Sequence, residues 1–215
     1  ELKKQLGDLN SMTINEHALK YSGADRVLFD KSRTGNILAL LENAKLTIYD
    51  GDHNSFIDIT PANTGFHELL KGKNGEIKDI LMPKDDHIIL ISEQSVVVVN
   101  IKTQQVQYEF TMAADDHYRL SADGNLLYIL DANHKRLIGM NWMTGAYTVK
   151  TDLSTVMTGK HFQKDALAVS KDGSQVWFTT NQMSYLYEVN IASGTVTLLD
   201  DKDPRSASAC TFIGF

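Results

Sequence analysis

Apolar residues along this chain come in short runs, separated by polar turn signals. Three stretches align with one another: Lys31-Ser32-Arg33-Thr34-Gly35-Asn36-Ile37-Leu38, Leu120-Ser121-Ala122-Asp123-Gly124-Asn125-Leu126-Leu127 and Val169-Ser170-Lys171-Asp172-Gly173-Ser174-Gln175-Val176. Met82-Pro83-Lys84-Asp85-Asp86-His87-Ile88-Ile89 follows the same line more loosely. Each reads as strand, polar turn, strand. Asp-Gly supplies the positive φ that a tight hairpin needs. Strands rich in Val, Ile, Leu and Tyr, with turn signals every ~8 to 12 residues, predict an all-β chain.

A second hairpin follows each of these. Its first strand ends at Asp50, Asn100, Asn141 or Asn190, positions separated by 50, 41 and 49 residues. Short turns come next, Lys102-Thr103-Gln104, Met143-Thr144-Gly145 and Ala192-Ser193-Gly194 in the last three. A repeat of roughly 40 to 50 residues carrying four strands is the spacing of a β-propeller blade. We call the strands a to d. The units are expected over about 25–60, 76–112, 117–153 and 165–200. A sandwich would not repeat the same turn chemistry in register.

The Ser-x-Asp-Gly turns at Ser121–Gly124 and Ser170–Gly173, each followed by an apolar strand and later by Asn-x-x-Thr/Ser-Gly, resemble the YVTN-type bacterial propeller repeats over residues 25–200. The Gly-His and Trp-Asp pairs of WD40 repeats are missing, since neither Trp142 nor Trp177 precedes Asp. The resemblance implies an all-β propeller and a periplasmic, cell-surface or extracellular setting. It implies no particular function.

Four complete blades and a partial fifth are expected. Residues 1–20 read as a tail with one strand at 11–20, and 206–215 as the start of a further blade. Closed rings usually hold about four to eight blades and leave no open sheet edge. The segment is therefore expected to belong to a larger ring, completed by the remainder of its own propeller or by a second chain. The start at Glu1 fits a processed or cut form.

Composition narrows the classes. Apolar residues make up 42% and charged residues 22% of the 215, as in a folded globular chain. The net charge of −6 is spread without a basic cluster, which argues against nucleic acid. No apolar run is long enough to cross a bilayer. The single cysteine, Cys210, offers neither a disulfide partner nor metal-ligand spacing.

Two sets of residues carry candidate chemistry. Asp50, Asp52, Asn54 and Asp58 imitate the alternating oxygen ligands of a calcium loop, but Ser55 and Pro61 stand where such a loop has Gly and Glu. The repeat also explains this segment as a c–d turn. No other cofactor is expected. The second set lies on the d–a and b–c loops, the end of a propeller that usually binds ligands. Here it includes His117, Asp131, His134, Arg136, His161, Asp165, Asn181 and Tyr185, with the first four grouped on one blade. The seven histidines show no His-x-His or His-x-x-x-His spacing. Asp86-His87 and Asp116-His117 are expected at opposite ends of the blades.

Two connections exceed hairpin length. The first, 61–75, spaces Phe66, Leu69 and Leu70 like one side of a short helix, a cap or a docking side. The second spans 154–164. No catalytic residue is assigned. The reading is a non-catalytic scaffold or adhesion module that recognises protein or glycan through loops at one end. The alternative is a propeller enzyme of lactonase or hydrolase type, working at the mouth of the central channel.

Overall fold

The computed structural model describes residues 27–60, 64–73, 75–113, 115–180 and 185–200. The segments 11–20 and 206–215, and Asn181, lie outside the described residues. Sixteen strands form four antiparallel sheets of four, each in sequence order, with one short helix. The first sheet holds β1 (Val27–Lys31), β2 (Ile37–Glu42), β3 (Lys45–Asp50) and β4 (Ser55–Ile59). After α1 (Thr64–Leu70) come β5 (Ile77–Lys84), β6 (His87–Ser92), β7 (Ser95–Asn100) and β8 (Gln105–Thr111). The third sheet holds β9 (His117–Leu120), β10 (Leu126–Asp131), β11 (Arg136–Asn141) and β12 (Tyr147–Asp152). The fourth holds β13 (Phe162–Val169), β14 (Gln175–Thr180), β15 (Leu186–Asn190) and β16 (Val196–Asp200). This is the four-bladed β-propeller arc that the repeat predicts. One boundary differs: β13 begins at Phe162, ahead of Asp165, and its register with β14 shifts between Phe162 and Leu167.

The middle strands show why the blades must stack. Successive strand residues point to opposite faces. On β6, Ile88 and Leu90 join a core with Leu46 and Ile48 of the first blade. Their neighbours Ile89 and Ile91 join a second core with Leu127 and Ile129 of the third blade. On β10, Leu127 and Ile129 face the second blade, while Tyr128 and Leu130 face the fourth. A strand apolar on one face would have to alternate. The uninterrupted run Val96–Val99 is instead buried at every position, because both faces are covered. Each such side chain contributes roughly 1.5–3 kcal/mol of burial. The outer strands lose this cover, and Val106, Tyr147 and Val149 are exposed.

The first strand of each blade lies innermost. β1 runs beside β5, and β9 beside β13. The Tyr118 hydroxyl on β9 donates to Asp79 on β5 at 3.3 Å. Pro83 would remove a ladder hydrogen bond in mid-strand. It sits where the β5–β6 register shifts between Leu81 and Lys84, a place that tolerates it.

Two turn designs recur. In the a–b turns, Ser121 and Ser170 hydroxyls donate to Asp123 and Asp172 at 2.6 and 2.7 Å, and accept from the N–H of Leu126 and Gln175, both at 2.9 Å. In the c–d turns, one side-chain oxygen of Asp50, Asn100 or Asn141 accepts two backbone N–H groups at 2.9–3.2 Å. Asn190 does the same for Ser193 N–H and its hydroxyl. Four residues on, the backbone turns left-handed at Asn54, Gln104, Gly145 and Gly194.

The residue after each of the last three caps closes a seam. Ile101 enters the first core and Trp142 the second, and Ile191 packs against the third. Trp142 is wholly buried, and its indole N–H donates to the Gly124 carbonyl at 2.5 Å. The two long connections also close seams. Phe66, Leu69 and Leu70 of α1 enter the first core, so the apolar side of that helix is a cap. Leu153 and Met157 enter the third core.

Candidate binding face

Up-and-down strand order puts every b–c and d–a loop at one end of the blades. Asp86 and His87 lie at the other end, away from Asp116 and His117. On the third blade the loop end is tied together by two carboxylates.

Asp131, at the end of β10, accepts from the His134 backbone N–H at 3.0 Å, from the Arg136 Nε–H at 2.7 Å, and contacts His134 Nδ1 at 2.9 Å. Burial pushes its carboxyl up. The His134 backbone N–H, the Arg136 guanidinium and the His134 ring together outweigh burial and hold it below the usual carboxylate range. Asp116 joins two loops: one oxygen accepts from Ala113 N–H and the other from Ala132 N–H, both at 2.8 Å. Burial raises its pKa, the two N–H groups oppose this, and the Asp131 charge adds to the rise.

The structure therefore gathers Asp131, His134 and Arg136. His117 pairs in register with Leu130, the residue before Asp131, and its ring stands edge-on to Phe162 with centroids 6.3 Å apart. Asp165 lies in β13, and His161 is exposed just before that strand. Tyr185, next to β15, stands edge-on to Tyr187 at 6.2 Å. Rings then run inward from Tyr187, stacked on Phe178 at 5.1 Å, to Phe162, edge-on to Phe178 at 5.6 Å.

Three participants escaped the sequence reading. Lys160 Nζ donates to the Tyr187 hydroxyl at 2.6 Å and lies over the Tyr185 ring, 4.6 Å from its centroid. Lys135 Nζ donates to the Met157 carbonyl at 3.0 Å, the same carbonyl that accepts the Lys160 backbone N–H at 3.0 Å. Only the positive φ of Lys135, 50°, marks it locally, and no sequence signal joins Lys160 to a tyrosine 27 positions away.

The Asp50 loop uses its oxygens within the turn. Besides its two N–H contacts, Asp50 Oδ2 lies 2.8 Å from His53 Nδ1. This hydrogen bond leads the causes that lower the Asp50 pKa and raise that of His53. Asn54 accepts from the Tyr49 hydroxyl at 3.0 Å. Asp58 accepts from the Thr47 hydroxyl at 2.9 Å and pairs with Lys45 at 2.7 Å. Asp52 lies 3.5 Å from the Asn36 amide. Among the described residues, no group of three or more His, Cys, Asp or Glu is placed to hold a metal ion. No helix among them is long and apolar enough to cross a membrane.

No protein-family model matches the chain, and no curated protein sequence does. Solved structures do. The chain is similar to the β-propeller domain of Cps50 (Swd1) from Myceliophteria thermophila, with a TM-score of 0.54 and 14% identity over 78% of this chain and 56% of that one. It is similar to the tricorn protease, with a TM-score of 0.52 and 9% identity over 80% of this chain and 16% of that one. It is also similar to a structure of KlAtg21 in complex with the coiled coil of AgAtg16, with a TM-score of 0.50 and 12% identity over 76% and 51%. The chain thus spans about half of two of these chains and a small part of the third. The likeness is one of fold.

Proposed function

We propose that this propeller is a non-catalytic interaction module that recognises a protein through the b–c and d–a loops of its third and fourth blades. The observation that carries this is how the carboxylates are used. Both oxygens of Asp116 accept backbone N–H groups, and Asp131 is taken up by His134 and Arg136. These groups hold loops in place. Asp131 closes strand b and Arg136 opens strand c, so neither is on the first strand of the blade. A rigid scaffold presenting pinned loops suits recognition.

One observation favours the enzyme reading. Asp116 and Asp131 are pushed in opposite directions, as an acid and base pair would be. A general acid needs a free oxygen toward substrate, and Asp116 has both engaged. The binding reading therefore stands first.

Several finer points belong to the same proposal. The Ser-x-Asp-Gly turns support membership of the YVTN-type repeats, and with it an extracytoplasmic bacterial setting and an adhesion role toward protein or glycan. The 56% span of the Swd1 domain supports further blades, from the same propeller or a second chain, completing the ring. The coiled coil bound by KlAtg21 supports a helical protein partner. Calcium is proposed for the Asp50 loop, where it would displace His53. A melting temperature raised by millimolar calcium, and not in D52N, is its test.

The test of the main proposal places the photo-crosslinking residue p-benzoylphenylalanine at position 134, on the loop end, or at position 52, on the opposite end. A protein should be captured from the native source at 134 and not at 52. Equal capture at both, or none at 134, overturns the reading.

A further inference from the structure

Two carboxylates on the loop end of blades three and four are engaged within the fold. Asp131 is held by Arg136 and His134, and Asp116 by two backbone amides. Lys135 and Lys160 differ. Among the described residues neither has a carboxylate within ion-pairing distance, although both are fixed in place. The Lys135 ammonium and the Lys160 backbone N–H share the Met157 carbonyl.

Lys160 is the more constrained of the two. Its residue is half-buried, its ammonium donates to the Tyr187 hydroxyl, and the Tyr185 and Tyr187 rings lie beside it. Ring faces attract a cation but do not neutralise it. A hydroxyl takes only one of the three ammonium protons. A partly desolvated ammonium with two further protons to donate is built to receive a strong acceptor. An ordinary surface lysine keeps its head in water on a mobile stem. This one is anchored at the ammonium by Tyr187 and at the backbone by Met157.

We propose that Lys160, flanked by Tyr185 and Tyr187 and seconded by Lys135, is the receiving cation for a side-chain carboxylate on an acidic segment of the protein partner. This rests on the reading of the loop end as a protein-binding face and names the chemistry that the face selects. Tyr185 provides an apolar wall for the methylene stem of a Glu or Asp, and Lys135 a second cation for its neighbour. The negative net charge of the chain does not oppose this, because screening limits interactions to about 10 Å at ordinary salt.

The test titrates the chain at about 0.1 M salt, where screening holds to about 10 Å, with acetylated and amidated hexaglutamate, using hexaglutamine and free glutarate as controls, by calorimetry. Hexaglutamate should bind, and hexaglutamine should not. K160Q should weaken hexaglutamate about fivefold to tenfold, as expected for one partly screened charge-assisted contact. K171Q, on the opposite end, should leave it unchanged, and half-molar salt should shrink the difference. In parallel, lysine acetylation of the unaltered protein, read by mass spectrometry, should slow at Lys160 and Lys135 when hexaglutamate is present, and not at Lys171. This arm holds even if K160Q fails to fold.

Equal hexaglutamate affinity in K160Q and the parent, or no protection of Lys160, overturns the inference. So does glutarate binding as tightly as hexaglutamate, which would make this a small-carboxylate site. Capture of a protein at position 134 with Lys160-independent hexaglutamate binding would sink this inference alone. Lys160-dependent binding with no captured protein would sink the protein-partner reading alone.

Discussion

Trp142 is the side chain on which the seam between blades two and three depends most. It is wholly buried, donates to the Gly124 carbonyl, and packs against His87 with ring centroids 5.2 Å apart. W142A removes an indole that blades two and three enclose together, and a cavity of that kind costs about 3–5 kcal/mol. W142F keeps most of the apolar volume but leaves the Gly124 carbonyl without its donor, at about 1–3 kcal/mol. Domains of this size hold about 5–15 kcal/mol in all, so the alanine variant loses about a fifth or more. Trp177 is the internal control. Its indole N–H donates to Glu188 at 3.0 Å on a partly exposed face, and W177F should cost about 1 kcal/mol. Urea unfolding followed by far-ultraviolet circular dichroism measures all three. The chain has two tryptophans, so W177F reports the fluorescence of Trp142 alone, which should be blue-shifted until the seam opens. Equal costs for W142A and W177A, or less than about 1 kcal/mol for W142A, would refute a seam filled by this residue.

Other outcomes follow from the same geometry. I88A and I89A should each cost about 2–4 kcal/mol although they point to opposite faces, because each fills a different core. Chemical denaturation would show one of them near neutral if the sheets were covered on a single side. The Ser170 hydroxyl, with the Ser174 N–H and hydroxyl, lowers the Asp172 pKa from 3.8 to about 2. Its contribution is therefore complete above about pH 4 and lost as pH falls toward 2, and the melting temperature of D172N should be flatter across that window than the parent's. G145A places a methyl 2.7 Å from the Tyr108 ring at a φ of +71°, and should cost about 1–2 kcal/mol by thermal melting from the conformation alone. N141A should cost about 1 kcal/mol by losing its two turn hydrogen bonds, while N141D should be tolerated because Asp50 does the same work in blade one.

The blades were legible because their information is local. An Asp or Asn capping two N–H groups, then a left-handed residue, is written within five consecutive positions. Ser-x-Asp-Gly is equally compact. The helical spacing of Phe66, Leu69 and Leu70 also announced its buried side. The start of β13 was harder to read. His161-Phe162-Gln163-Lys164-Asp165 mixes polar types without alternation, and the irregular register at Phe162 breaks the period that a strand would show. The geometry of the candidate face was half legible. Asp131, His134 and Arg136 sit within one hairpin loop, so proximity in sequence gave proximity in space. Lys160 and Tyr187 meet only because blade four packs its strand c beneath the preceding d–a loop. His117 pairs with Leu130 in its own blade and also meets Phe162 of β13, because an innermost strand borders the next blade.

Net charge is a poor guide to this face for the same structural reason. A carboxylate that ends a strand faces loop N–H groups that need acceptors, and burying them unpaired would cost more than a hydrogen bond returns. Acidic residues at strand ends are consequently consumed by their own loops, as Asp116, Asp131 and Asp152 are. Lysines have no such local use for their charge. They can donate to a carbonyl or a hydroxyl, as Lys135 and Lys160 do, and still keep a full positive charge. A carboxylate so held keeps its negative charge but has its lone pairs taken up, whereas these anchored ammonium groups keep protons to donate outward. What the candidate face can donate outward is set by the protons that remain after its turns are satisfied, and here these belong to two anchored lysines beside a tyrosine wall.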